Sequence, residues 1–205
     1  MVAQTPAGER VVSRSISVRI RPLLGTLTFV FPVASFGQEA GCVVLPDTAP
    51  IHRLGRFSDM RFTEEHAYGS ILELWRTGNC VFGLFQISEG LAGDTPTGRL
   101  SDVRYTPATG QLSFAAKLST GITTLTGSKE WVPTRDLFTF SGRMTRRGVE
   151  GRLRRSDQLR PGSTPAGSDI TLLRTRGDGY LSDTKTYGEW RERAEGILRF
   201  RGPRW

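Results

Sequence analysis

Cysteine and histidine are almost missing from this chain of 205 residues, which has only Cys42, Cys80, His52 and His66. Two cysteines exclude both a four-cysteine zinc site and a disulfide-dense mini-scaffold. The two histidines show no His-x-His or His-x₃-His spacing, so no metal site is expected, and no Gly-x-Ser-x-Gly surrounds a serine nucleophile. His66 follows Glu64-Glu65, but the bland reading, an exposed turn histidine entering a strand, is the expected one. Asp94 and Asp102 flank a glycine-rich stretch as a carboxylate pair, of which general acid–base work would need one with a raised pKa, a property that sequence does not show. Asp178-Gly179-Tyr180 with Asp183 lacks the second acidic position and terminal glutamate of a calcium loop. No phosphate-binding glycine fingerprint opens a helix, so no cofactor is implied. Lysine is scarce too: of 28 basic residues only Lys117, Lys129 and Lys185 are lysines, and the net charge of +8 is arginine charge.

Long hydrophobic runs are also lacking. The longest uncharged, mostly apolar stretch, Leu23–Phe36, is interrupted by Pro32 and falls short of the ~20 residues of a membrane-spanning helix. It follows Arg10, Arg14, Arg19 and Arg21 and precedes the small and polar Gly37-Gln38-Glu39-Ala40-Gly41. Basic, apolar, then small is the order of a secretory signal peptide, expected over 1–37 with cleavage within about 36–41. Losing four arginines and Glu9 would lower the net charge by three. Ala40-Gly41-Cys42 has the small residues of a lipoprotein site, but Glu39 stands where such sites want an aliphatic residue. In an oxidising compartment Cys42 and Cys80 pair instead, which places the protein in the periplasm or outside the cell. The closed loop would constrain the unfolded chain by about 4 kcal/mol.

What is present, 37% hydrophobic and 23% charged residues, is globular. After an N-terminal segment, 38–56, tied by the disulfide, 57–205 reads as one β domain with a terminal helix. Leu112, Phe114, Ala116 and Leu118 alternate with Ser113, Ala115, Lys117 and Ser119, the period of a half-buried strand. Phe138, Phe140 and Met144 share one face, as do Val149, Gly151 and Leu153, and Val103 with Tyr105. Less regular candidates cover 57–64, 70–76, 80–88 and 169–175. Thr77-Gly78-Asn79, the pentapeptide 106–110 and Arg146-Arg147-Gly148 have turn chemistry, and no crossover helix fits between the early strands. An antiparallel meander of eight strands, closed or half-closed as a barrel, is predicted. From Tyr187 to Leu198 the apolar period becomes helical, with Thr186-x-x-Glu189 as a capping box. Glu189–Arg193 and Glu195–Arg199 offer i,i+4 pairs, and the end beyond Leu198 is expected to fray.

Eight meandering strands and a C-terminal helix resemble the layout of calycin-type barrels, which include lipocalins, fatty-acid-binding proteins and avidins. The resemblance is one of layout over about 57–198; Gly55-Arg56-Phe57 stands in for the Gly-x-Trp of a lipocalin first strand and assigns no family. Such barrels are packed solid or hold one small ligand. Trp75, Phe85, Phe114, Phe138 and Phe140 are the pocket candidates, for a small apolar ligand. The second lead is the arginine-rich hairpin, where Arg146, Arg147, Arg152 and Arg154 would form a positive ribbon for an anionic envelope component. The alternative is a solvated edge. No aromatic-interleaved motif accompanies these arginines, so nucleic acid is not expected as a partner. The expected function is an exported, non-catalytic binding or envelope-interaction protein. Its rivals are a hydrolase or isomerase with carboxylates in the barrel and a structural partner acting through its surface.

Overall fold

The computed structural model describes residue 42 and residues 44–205 except 92, 94, 178 and 180. The leader and its cleavage region, together with Asp94, Asp178 and Tyr180, lie outside the described residues. The strands are β1 (His52–Ser58), β2 (Arg61–Phe62), β3 (His66–Thr77), β4 (Cys80–Leu91), β5 (Thr97–Thr106) and β6 (Gln111–Leu118). They continue with β7 (Ile122–Thr124), β8 (Trp131–Pro133), β9 (Asp136–Met144), β10 (Gly148–Asp157) and β11 (Ala166–Thr175), before α1 (Tyr187–Arg201).

Eight strands make a closed antiparallel meander. Each pairs with the next in the order β1, β3, β4, β5, β6, β9, β10, β11, and β1 closes the ring by pairing with both β3 and β11. The closed eight-stranded barrel with one C-terminal helix is the predicted architecture. β2 pairs antiparallel with the start of β3, while β7 and β8 form a separate hairpin inserted between β6 and β9. At one end of the barrel lie the tight β3–β4, β5–β6 and β9–β10 turns, with Gly78 and Gly110 at positive φ. At the other end lie the longer connections 92–96, 119–135 and 158–165. These will be called the turn end and the loop end.

Period-two alternation explains the interior. Phe57, Leu72, Leu74, Phe85, Leu112, Phe114, Phe138, Phe140, Val149, Leu153 and Leu172 point inward and are buried together. The rings of Phe85, Phe114, Phe138 and Phe140 pack in a chain, two contacts tilted and Phe114–Phe140 stacked, with centroids 5.1–5.8 Å apart. Gly142 and Gly151, directly paired on β9 and β10, make room for this chain. A Cβ on Gly142 would come within 2.6 Å of the Phe140 ring.

A second core lies outside the barrel wall. Trp190 and Ala194 of α1 bury against Trp75, Phe82 and Leu84 on the outer faces of β3 and β4, with Ile51 and Leu181 at the margins. Trp190 meets Phe82 edge-on at 4.6 Å. The capping box forms: Glu189 N donates to Thr186 Oγ1, and Glu189 Oε2 accepts from the amides of Lys185 and Thr186.

Three sequence expectations change. The helix runs to Arg201 without fraying. Arg193 pairs with Asp183 and Glu195 with Arg99, in place of the i,i+4 partners, because the loop before the helix and the strand beneath it bring closer charges. The first strand begins at His52, ahead of the 57–64 stretch, and ends at Ser58. Among the described residues no helix is long and apolar enough to cross a membrane.

Candidate functional site

A barrel's ligand chamber would lie in its interior. Phe85, Phe114, Phe138 and Phe140 are brought together inside and pack on one another. Trp75 is not with them: it faces outward and packs on Trp190 beneath α1, at 5.8 Å.

An inward-facing arginine covers each mouth. At the turn end Arg174 lies over the ring of its cross-strand partner Phe57, at 4.7 Å. Its Nη1 donates to the Leu54 carbonyl at 2.8 Å and its Nε to the Arg146 carbonyl at 3.0 Å. At the loop end Arg155 lies over its partner Phe138, at 5.7 Å. It donates through Nε to Asp136 Oδ1 at 2.9 Å, through Nη2 to Thr120 Oγ1 at 2.6 Å and through Nη1 to Glu89 Oε2 at 3.1 Å. β10 and β4 stand on opposite sides of the ring, so the Arg155–Glu89 pair spans the mouth.

Asp136 is the most unusual titratable group. It is 2% exposed, and its Oδ2 accepts from Thr134 Oγ1 at 2.6 Å, Thr120 Oγ1 at 2.8 Å and the Thr120 amide at 3.2 Å. Burial alone raises its pKa. The bonds from Thr134, Arg155 and Thr120 outweigh burial and hold the carboxyl below its ordinary value. A general acid needs the reverse. This carboxylate is an anchor: through Thr120 and Thr134 it fixes both ends of the segment carrying the β7–β8 hairpin.

The histidines do not converge. His52 pairs with Arg76 near the end of β3, and His66 begins that strand, so they lie roughly 33 Å apart at opposite ends of the barrel. His66 stacks on Tyr68 at 6.0 Å. Among the described residues no three His, Cys, Asp or Glu side chains gather to hold a metal ion. Asp102 is exposed, at a bulge in β5, with φ of 51°.

The arginine hairpin forms as β9–β10. Arg146 and Arg147 are exposed at its turn, and Arg152 and Arg154 leave the outer face of β10. Arg152 is engaged by Asp169 at 3.2 Å, and Glu150 sits opposite Arg143, so acids interleave the ribbon. The Cys42–Cys80 disulfide forms at the turn end with Cα atoms 5.3 Å apart, the kind of link that persists in oxidising compartments.

Two clefts lie elsewhere, side by side near the loop end. One, of about 410 Å³, lies between the base of the β7–β8 hairpin, the 93–96 loop and the end of α1, with Ile122, Pro133, Phe200, Arg201 and Arg204 in its walls. The other, of about 380 Å³, runs along α1 between Leu181, Gly196, Ile197 and Phe200, with Arg193 and Arg201 at its edge. Phe200 and Arg201 border both. Trp205 holds the end of the helical segment here, donating Nε1–H to the Leu118 carbonyl at 3.0 Å under the Lys117 ammonium. Sequence reading assigned no role to Trp131, Phe200, Arg201 or Arg204; an apolar Phe200 between Arg199 and Arg201 was the available signal. No protein-family model, curated protein or solved structure matches this chain.

Proposed function

We propose that this is an exported, non-catalytic interaction protein that works through the outside of a filled barrel, at its loop end. One observation carries the reading: the interior is occupied by its own aromatic rings, while large apolar side chains stand exposed around the clefts. Phe200 is 81% exposed, Ile122 68% and Trp131 67%. Scattered apolar residues are ordinary on a surface, but a contiguous set beside basic residues marks an interaction site. The disulfide supports an oxidising location, and a cleaved N-terminal leader would deliver the chain there. The saturated Asp136 and the separated histidines weigh against the hydrolase or isomerase reading. Native mass spectrometry of the exported protein tests the proposal. The expected spectrum is the bare chain, cleaved near Gln38 and carrying its disulfide. A small molecule retained at one per chain would refute it in favour of a ligand carrier.

A further inference from the structure

We infer that the loop-end rim docks on an anionic phospholipid surface, the β7–β8 hairpin and the end of α1 entering the interface together; this rests on the surface-acting reading above. Cross-strand register puts Ile122, Pro133, Thr124 and Trp131 on one face of the hairpin, and Ile122 and Pro133 line the cleft against Phe200. The opposite face, with Thr123, is braced by Arg160, whose Nη2 donates to Thr123 Oγ1 and to the Thr124 carbonyl, both at 3.3 Å. Trp131 and Phe200 are thus held on two anchored elements. The hairpin is fixed at its base by Asp136, and the end of α1 is held by Trp205 and by the Arg204 amide on Ser119 Oγ.

The charge around these rings selects the partner. Arg193, Arg201 and Arg204 border the two clefts and, among the described residues, no acidic side chain lines either of them, while Arg193 is already paired with Asp183. Arg201 and Arg204 make no ion pair among the described residues. Exposed tryptophan and phenylalanine beside arginine suit the boundary of a bilayer. There the ring enters the headgroup layer and the guanidinium binds phosphate through a fork of N–H donors. The apolar cleft along α1, joined to the basic one at Phe200 and Arg201, suits an acyl chain beside its phosphate.

The test is co-sedimentation of the exported protein, cleaved near Gln38, with vesicles of phosphatidylglycerol mixed equally with phosphatidylcholine, against pure phosphatidylcholine. Binding is expected only to the anionic vesicles, weakened by added salt, with a blue shift of tryptophan emission that Trp131→Phe removes. Trp131→Ser with Phe200→Ser, and separately Arg201→Glu with Arg204→Glu, should each cut binding more than about tenfold. All four side chains lie outside the two cores, so the thermal midpoint should hold. Arg152→Glu with Arg154→Glu, on the barrel's side wall, should bind as wild type does. Failure of wild type to sediment, or an unchanged affinity in both rim variants, would overturn the inference. So would loss of binding in the side-wall variant alone. A vesicle-blind protein whose mass spectrum still shows an empty barrel would remove the lipid partner and leave the surface-acting reading standing.

Discussion

The two mouths of the barrel solve one problem with different chemistry. Each is covered by an arginine lying over the phenylalanine beside it in register, Arg174 on Phe57 and Arg155 on Phe138. Arg174 gives its side-chain bonds to main-chain carbonyls, which any sequence supplies, and it remains exposed. Arg155 is committed to two carboxylates and a hydroxyl, one of them the buried Asp136. The difference follows from what each end must hold. The turn end has tight hairpins and a disulfide. The loop end carries a long insertion between β6 and β9, and without Asp136 the hairpin inside it would have lost its main anchor to the barrel.

The comparison breaks most visibly at Asp136. Asp136→Ala removes the acceptor for four donors and leaves Arg155 with the half-exposed Glu89 in place of a buried carboxylate, so denaturant unfolding should show a loss of about 3 kcal/mol. Hydrogen exchange in 119–135 should rise first. Gly142→Ala, in the middle of the wall between the mouths, should cost about 2 kcal/mol, because the new Cβ meets the Phe140 ring and the Glu150 carbonyl. Arg174→Ala should cost about 1 kcal/mol, the sum of an exposed ring contact and two accessible hydrogen bonds.

Acid sharpens the contrast. The folded-state pKa of Asp136 lies below its unfolded value of 3.8. Its contribution is therefore present above that value and lost as pH falls through the lower folded one. Wild type should lose stability steeply below about pH 4. Asp136→Asn, less stable at neutral pH, should show a shallower acid slope. Among the described residues the Arg174 side chain hydrogen-bonds only to main-chain carbonyls and to no carboxylate, so Arg174→Ala should keep the wild-type slope.

Strands exposed on one face were legible as period-two alternation, and β6, β9 and β10 stand where that pattern put them. β3 and β4 looked irregular because α1 covers their outer faces, so Trp75 and Glu73 are buried along with Leu72 and Leu74. The same double burial sent Trp75 to the helix when sequence reading grouped it with the interior phenylalanines. Arg155 was legible in principle: Val149, Gly151 and Leu153 point inward, and two residues on the same parity reaches an arginine. Its partners were not, since Glu89 and Thr120 arrive from distant chain segments. The β7–β8 hairpin has three-residue strands, too short for any period to appear. The rim was missed with it, because Trp131 and Phe200 are far apart in sequence and neither belongs to a patterned face.

The central claim is that this barrel acts through its loop-end rim and not through its interior. Amide hydrogen exchange of the protein, with and without phosphatidylglycerol-containing vesicles, tests it most directly. The account predicts added protection confined to 91–96, 119–134 and 196–205, with the interior strands β6, β9 and β10 unchanged. Protection that instead deepens along those strands, or follows the Arg146–Arg154 hairpin, would contradict it.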